Sequence, residues 1–281
     1  MATALARGIV SQGQILSRPQ DLMASCPPQD ANLLDPIKEL GCTTSHDNLE
    51  VVSNSDIVIL AVKPAIIARV LSEGKTLLNG SKLVTSIAAG IKIGQMEEMM
   101  QPDSKVIRVM PNTPSLVQEG ATVYSKGKNC QLEDGLLVER IFKAVGPSCT
   151  EVPEAWIDSV TGISGSGPAY MYIIIGNLMK YLLIFSSDFS LKFLFSEAMA
   201  DAGVKMGLPR DLAYTLAAQT MVGSGQMVLK TGIHPAVLKD DVCSPGGSTI
   251  TAVDQLEQNG IRTCMMKAVE AAAKRCHQLG S

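Results

Sequence analysis

Apolar residues recur along the chain in two different patterns. Up to about residue 153, short continuous apolar runs alternate with segments of helical period, and the clearest runs cover residues 55–62, 82–87 and 105–110. Runs of this length that stop at glycine or proline are typical of strands buried on both faces of a parallel sheet. The pattern predicts an α/β domain built on a right-handed, doubly wound parallel sheet.

The predicted strands end in small, polar or helix-breaking residues. These ends are residues 25–26, 61–64, 87–90 and 111–114. Because ligands of such sheets bind beyond the carboxyl ends of the strands, we expect these loops to converge on one elongated ligand. The alternative is that they are only turns that end the strands.

After residue 153 the strand pattern stops, and long segments of helical period follow to the end of the chain. A glycine- and serine-rich stretch, residues 161–168, is interpreted as a hinge at the start of this region. We therefore predict two domains, residues 1–153 and a nearly all-α domain of residues 154–281. Apolar faces on several helices of so small a domain predict a partner surface, usually that of a homodimer.

One stretch of the helical region, residues 241–250, combines a proline and two glycines with a pair of hydroxyl residues. Ser248 and Thr249 stand where a new helical period begins, so the stretch predicts a tight loop that presents both hydroxyls at a helix N-terminus. Such an end suits a carboxylate or a phosphate. The alternative is that one of the two residues is an ordinary N-cap.

Composition narrows the class of protein. The 281 residues carry a net charge of −3 and no basic patch, which disfavours binding to nucleic acid or to a membrane surface. Three scattered histidines do not predict a metal site. Seven cysteines without a Cys-x-x-Cys pair predict reduced thiols, and the first residues lack the features of a secretory signal. We expect a cytoplasmic protein, with the mitochondrion as the alternative.

The hydroxyl loop and six further blocks resemble the sequences of pyrroline-5-carboxylate reductases. The loop block extends over residues 234–235 and 239–257. The other blocks, which follow one another in the order found in the family, are residues 61–64, 88–90, 108–114, 119–122, 161–170 and 203–209. Together they span almost the whole chain, which makes the resemblance far more specific than a single glycine motif.

The resemblance implies a fold and an activity. Members of the family have an N-terminal Rossmann-like domain and a C-terminal helical domain that forms a dimer, often within a decamer. They reduce 1-pyrroline-5-carboxylate to L-proline with NADPH or NADH. Two alternatives are a catalytically silent homologue that only oligomerises, and a reductase of the same plan that acts on another small imine or keto acid.

The resemblance also implies site residues. Residues expected near the adenosine end of the cofactor are Ser25, Cys26 and Asn48. Residues expected along its ribose and nicotinamide side are Ala61, Val62, Lys63, Pro64, Ile87, Ala88 and Ala89. Asp241 matches a further cofactor contact, while Glu154, Ser248 and Thr249 match positions that contact proline. The absence of an acidic residue at Ser25 and Cys26 favours NADPH.

The chemistry of the expected substrate agrees with the hydroxyl loop. The helix start at Gly246, Gly247, Ser248 and Thr249 would bind the substrate carboxylate. The hydroxyl of Thr249, the candidate catalytic residue, would hydrogen-bond the imine nitrogen. A cyclic imine can arrive already protonated, so the reaction does not require a strong general acid.

Two stretches depart from the family pattern. The sequence begins inside the helix that, in the family, follows the first strand and its glycine loop, so we expect the sheet to lack that strand and assign no residue to a phosphate loop. Residues 176–195 hold four of the five phenylalanines and interrupt a helix of the family. Because Lys180, Asp188 and Lys192 break this apolar run, we expect a helical insertion or a disordered bulge rather than a membrane span.

Overall fold

A computed structural model describes residues 1–12, 18–181 and 190–279 of the protein. The chain forms two compact units. The first comprises Met1–Pro111 and Ser115–Asp158, and the second comprises Asn112–Pro114 and Ser159–Ser281. This division lies close to the predicted boundary at residue 153.

The first unit alternates helices and strands. Its helices are α1 (Ala2–Ser11), α2 (Asp35–Lys38), α3 (Asn48–Ser53), α4 (Pro64–Gly74), α5 (Ile93–Met99) and α6 (Leu132–Lys143). Its strands are β1 (Met23–Ser25), β2 (Thr43–Ser45), β3 (Ile57–Leu60), β4 (Leu83–Ser86), β5 (Lys105–Met110), β6 (Ala121–Lys126) and β7 (Ser148–Glu151). Short 3₁₀ helices occupy Pro19–Asp21, Pro28–Leu33, Thr113–Val117 and Glu154–Trp156. The predicted Rossmann-like alternation is confirmed.

The strands of the described residues form two sheets. β1 pairs with β2 in parallel, and β3 to β7 form a second sheet in sequence order. The prediction of a wholly parallel sheet is wrong at one place, because β5 and β6 are antiparallel. The connection between them, residues 111–120, is too short for the crossover helix that a parallel pair requires.

Two apolar cores cover the two faces of the larger sheet. On one face, Val84 and Val106 are fully buried beneath residues of α4 and α5. On the other face, Ile107 packs with Leu5 of α1 and Phe142 of α6. Burial of both faces explains why the sequence shows continuous apolar runs instead of alternation at these strands.

The regular elements of the second unit are all helical in the described residues, which agrees with the predicted nearly all-α domain. Its elements are the C-terminal part of α7 (Ile157–Val160), a π-helix (Thr161–Gly165), α8 (Gly167–Tyr181), α9 (Ser190–Lys205), α10 (Arg210–Thr231), α11 (Pro235–Val242), α12 (Ser248–Gln258) and α13 (Ile261–Leu279). The glycine- and serine-rich stretch forms a π-helix and the start of α8, so it continues the helical path from α7, and its role as a hinge stays a prediction.

The predicted insertion at residues 176–195 begins within the last part of α8 and ends within the first part of α9. Residues 182–189 lie outside the described residues, so the nature of the insertion stays a prediction. Within the described ranges, no helix combines the length and the apolar character needed to cross a membrane.

A charged residue lies in the core of the larger sheet. Arg108 on β5 is only 3% exposed, and its guanidinium donates to Asp158 Oδ1 at 3.0 Å and to Glu154 Oε1 at 3.3 Å. The same Glu154 oxygen accepts the N–H of Ile93, the first residue of α5, at 2.7 Å. Because an unpaired buried charge is strongly unfavourable, these carboxylates hold residues 154–158 against the sheet.

We expect Glu154→Gln to lower the free energy of unfolding by about 1–3 kcal/mol, because the buried guanidinium loses its less exposed anionic partner. Asp158→Asn is the control, since the Asp158 side chain is 70% exposed and that of Glu154 only 30%. Because the Asp158 carboxylate is largely solvated, its ion pair with Arg108 should contribute less than that of Glu154, so the control should lose less stability than Glu154→Gln. Urea denaturation of both variants measures the difference, and equal losses would contradict this account.

Candidate functional site

The predicted nicotinamide-side residues follow two adjacent parallel strands. Residues 61–63 connect β3 to α4, Pro64 is the first residue of α4, and residues 87–89 follow β4. Because β3 and β4 are parallel neighbours, both groups lie at the same edge of the sheet. Most of these side chains are exposed or half-buried, and Ala88 alone among them is buried. The structure thus brings this part of the predicted site together.

The three residues assigned to the adenosine end also lie together, after β1 and at the start of α3. Ser25 Oγ donates to Asn48 Oδ1 at 2.8 Å, and the Asn48 amide donates to Glu73 at 3.3 Å. Cys26 directly follows Ser25, and its carbonyl oxygen lies 2.9 Å from His46 Nδ1. The three predicted residues therefore form one cluster. Burial raises the pKa of the Cys26 thiol, which favours its neutral form.

The residues present fit the adenosine half of a dinucleotide. The side chains at Ser25, Cys26 and Asn48 are neutral, so they supply hydrogen bonds without repelling a phosphate on the ribose. On the ribose and nicotinamide side, the loop after β4 is open at Gly90, because no atom lies within 4 Å of a Cβ placed there. The donor set is therefore compatible with NADPH as well as with NADH.

The predicted hydroxyl loop is confirmed. It runs from the end of α11 at Val242 to the start of α12 at Ser248. Gly246 has a φ of +66°, a backbone conformation that favours glycine. A Cβ on Gly247 would lie 2.9 Å from Ser244 Oγ and 3.2 Å from the Ser244 carbonyl oxygen, so a side chain there would require Ser244 to shift. The shape of the loop thus favours glycine at both positions.

Asp241 does not belong to this loop. It lies in the last turn of α11 and is exposed. This helix was not predicted, although Pro235 occupies its first turn and His234 Nδ1 accepts the N–H of Ala236 as its cap. Proline is favoured at the first position of a helix, which is the signal that could have revealed α11.

The start of α12 is rich in unsatisfied donors. Its N-cap is Gly247, which has no side chain to accept a backbone N–H. The first-turn N–H groups of Ser248, Thr249 and Ile250 therefore have no acceptor within the helix and point along its positive dipole end. A carboxylate is the natural ligand for such a set.

The hydroxyl of Thr249 does not cap its own helix, so the N-cap alternative is wrong for this residue. Thr249 Oγ1 donates instead to Ser166 Oγ at 3.0 Å. Thr249 is 7% exposed and Ser166 only 1%. Ser248 Oγ lies 3.4 Å from the same Ser166 oxygen, while its residue is exposed. The predicted hydroxyl pair is thus joined by a third, buried hydroxyl.

Glu154 lies apart in the chain from the other predicted substrate residues. It belongs to the first unit, where its Oε1 atom is engaged by Arg108 and by the N–H of Ile93, whereas Ser248 and Thr249 belong to the second. Direct contact of Glu154 with the substrate stays a prediction.

Sequence reasoning missed two residues. Arg108 had a signal, since an arginine inside an apolar strand requires a nearby carboxylate. Ser166 had a weaker one, because its block was interpreted as a hinge and its side-chain direction depends on the π-helix before it.

Comparison with family models divides the chain in two. Residues 182–279 match the model described as "Pyrroline-5-carboxylate reductase dimerisation". Residues 1–90 match the model described as "NADP oxidoreductase coenzyme F420-dependent". The first match supports formation of an oligomer through the helical region.

Known relatives match over the full chain. Pyrroline-5-carboxylate reductase 3 of Xenopus laevis is 42% identical over 280 residues, which cover 100% of this chain and 93% of the relative. Pyrroline-5-carboxylate reductase of Arabidopsis thaliana is also 42% identical, over 99% of this chain and 92% of that relative.

Two solved structures carry the same assignment. The Plasmodium falciparum pyrroline carboxylate reductase with NADP bound is 36% identical, with a TM-score of 0.54, and the match covers 99% of this chain and 94% of that one. The Coxiella burnetii pyrroline-5-carboxylate reductase is 31% identical, with a TM-score of 0.57 and the same coverage. With this identity over nearly its whole length, the chain belongs to the pyrroline-5-carboxylate reductase family of oxidoreductases.

Proposed function

We propose that the protein reduces 1-pyrroline-5-carboxylate to L-proline with NADPH, or with NADH as the alternative donor. The observation that carries this proposal is the start of α12, where free backbone N–H groups stand beside the buried hydroxyl of Thr249. A small ring that bears both a carboxylate and an imine nitrogen matches this pair of features.

The substrate carboxylate would bind to the backbone of the loop and helix start. Gly246 leaves open space for its approach, because no atom lies within 4 Å of a Cβ placed there. The N–H groups of Ser248 and Thr249 then donate to the carboxylate oxygens. Since these donors belong to the backbone, the carboxylate contact survives any change of the two side chains.

Thr249 is the proposed catalytic residue. Its hydroxyl oxygen hydrogen-bonds the ring nitrogen and so fixes the orientation of the imine. A bound nicotinamide cofactor supplies the hydride that reduces the imine carbon. The nitrogen already carries its proton when the substrate binds as an iminium, so Thr249 orients the ring and does not have to donate a proton.

The cofactor would be held by the first unit. Ser25, Cys26 and Asn48 are proposed to bind its adenosine end, and the loops after β3 and β4 its ribose and nicotinamide side. Asp241, the exposed residue near the end of α11, is a further proposed contact that rests on the resemblance. For Glu154, the geometry supports an indirect role through Arg108 and the start of α5.

We also propose that the protein is a homodimer, built through residues 182–279, and that dimers assemble into a decamer. Exposed apolar side chains on α10 support the dimer, because Val222 is 51% exposed and Leu229 79%. For the compartment we propose the cytoplasm, with the mitochondrion as the alternative. Six cysteines of the described residues are free thiols, which agrees with a reducing environment.

Thr249→Ala should lower kcat and kcat/KM by roughly 10- to 150-fold, because it removes one hydrogen bond to a charged group and keeps the backbone donors. Thr249→Ser should retain most of the activity. Steady-state kinetics of 1-pyrroline-5-carboxylate reduction measure both effects.

Thr251→Ala is the matched control for Thr249. Thr251 lies in the same turn of α12 but is exposed, and its hydroxyl donates only to the carbonyl of Gly247. Its loss should leave kcat near wild type. Full activity of Thr249→Ala would refute the catalytic assignment, and absence of reductase activity in the wild type would favour the silent homologue.

Val222→Glu and Leu229→Glu should each shift the protein towards a monomer, because a charge on the exposed apolar face of α10 would be buried without a partner in the dimer. Leu136→Glu is the control, since Leu136 on α6 of the first unit is 50% exposed, about the same fraction as Val222. Sedimentation equilibrium measures the dissociation constants. If all three variants associate like the wild type, the dimer does not form through α10.

A further inference from the structure

We propose that Ser166 is a positioning residue, which holds Thr249 as a hydrogen-bond acceptor for the ring N–H of the substrate. A one-way chain of hydroxyl groups that ends at the carbonyl of Gly162 sets this direction. The site would therefore select the protonated, iminium form of the substrate. This inference rests on the proposed role of Thr249.

The direction of the chain follows from its last member. Tyr170 Oη donates to the carbonyl oxygen of Gly162 at 3.2 Å, and a carbonyl can only accept. The Tyr170 oxygen is then left to accept. Burial raises the pKa of Tyr170 and a hydrogen bond from Ser166 lowers it, which agrees with Ser166 as the donor to this oxygen. Thr249 Oγ1 donates to Ser166 Oγ at 3.0 Å, which agrees with a Ser166 proton directed towards Tyr170. Ser248 Oγ, 3.4 Å from Ser166 Oγ, can be the donor or the acceptor in its own contact.

The chemical consequence lies at Thr249. A hydroxyl has one proton and two lone pairs, and the proton of Thr249 is committed to Ser166. What Thr249 can offer a ligand is therefore a lone pair. An iminium N–H is a donor and matches it, whereas a neutral imine nitrogen is an acceptor and does not. Because Ser166 and Thr249 are buried, water does not replace the hydrogen bond that a neutral imine fails to make, and the mismatch is costly.

The local backbone fixes where Ser166 points. Its N–H donates to the carbonyl of Thr161 at 2.8 Å, the wide spacing of a π-helix. At the next residue, a Cβ on Gly167 would lie 2.9 Å from both Met199 and Thr220, so the start of α8 packs closely against α9 and α10. The π-helix and this close packing leave the Ser166 side chain directed towards α12.

A neighbouring serine provides a matched control. Ser164 lies in the π-helix that Ser166 follows and is fully buried, but its hydroxyl donates to the carbonyl of Val160 at 3.2 Å within its own helical turn. Ser164→Ala and Ser166→Ala therefore remove the same atom from the same buried segment. Only Ser166→Ala removes a hydrogen-bond partner of Thr249.

The test compares two ligands that differ only at the ring nitrogen. L-Proline carries a ring ammonium, and cyclopentanecarboxylate has a methylene group in its place. Their dissociation constants are measured by calorimetry on the protein loaded with oxidised cofactor. We expect Ser166→Ala to reduce the preference for proline about 3- to 10-fold, and kcat/KM for 1-pyrroline-5-carboxylate by a similar factor. Ser164→Ala should leave the preference unchanged.

The outcomes separate the positioning role from simple destabilisation. A structural defect weakens both ligands equally, so an unchanged preference in Ser166→Ala overturns the proposal. Tyr170→Phe is a second variant, which removes the end of the chain but keeps the ring, and it should reduce the preference in the same direction. If neither Ser166→Ala nor Thr249→Ala changes the preference for proline or kcat/KM, the proposed function of Thr249 fails. If Thr249→Ala lowers both quantities and Ser166→Ala lowers neither, only the role of Ser166 fails.

Discussion

A positive charge buried in an apolar sheet constrains the first unit of this protein. The guanidinium of Arg108 is held in the core, and it requires carboxylates that approach from outside the sheet. Glu154 and Asp158 meet this need, and they are the residues at which the chain leaves the first unit. Since Glu154 also accepts the N–H that begins α5, one ion-pair network fixes a strand, a helix start and the end of the unit together.

The second unit, which carries the proposed substrate site, relies on neutral groups whose hydrogen bonds have a fixed direction. In the proposed function, the loop before α12 would bind the substrate carboxylate without a positive side chain, because the backbone N–H groups at a helix start carry partial positive charge. The hydroxyl of Thr249 is likewise held by an uncharged partner, Ser166. A site of this kind orients a charged substrate through the geometry of its donors and acceptors, with little dependence on its own titration.

Prediction from sequence succeeded for elements whose burial imposes a pattern of apolar residues. It failed for features that depend on strand pairing or on the direction of a side chain. β4 and β5 are buried on both faces, so their apolar runs identify them. β2 is a three-residue, largely polar strand whose identity comes only from its pairing with β1, so its own residues give no signal. The reversal at β6 depends on the length of the preceding connection. The hydroxyl loop was predictable because proline and glycine mark it, whereas the direction of Ser166 follows from the π-helix before it.

The exposed apolar face of α10 has a thermodynamic consequence. In the proposed dimer, α10 has apolar residues on its buried and its exposed sides and gains its full burial only when the second copy covers it. By mass action, the folded helical unit is then stabilised by each increase in protomer concentration. Its melting temperature becomes a property of the solution as well as of the sequence. A substitution in this unit will appear more severe in a dilute assay than in a crowded cell compartment where the protein is abundant.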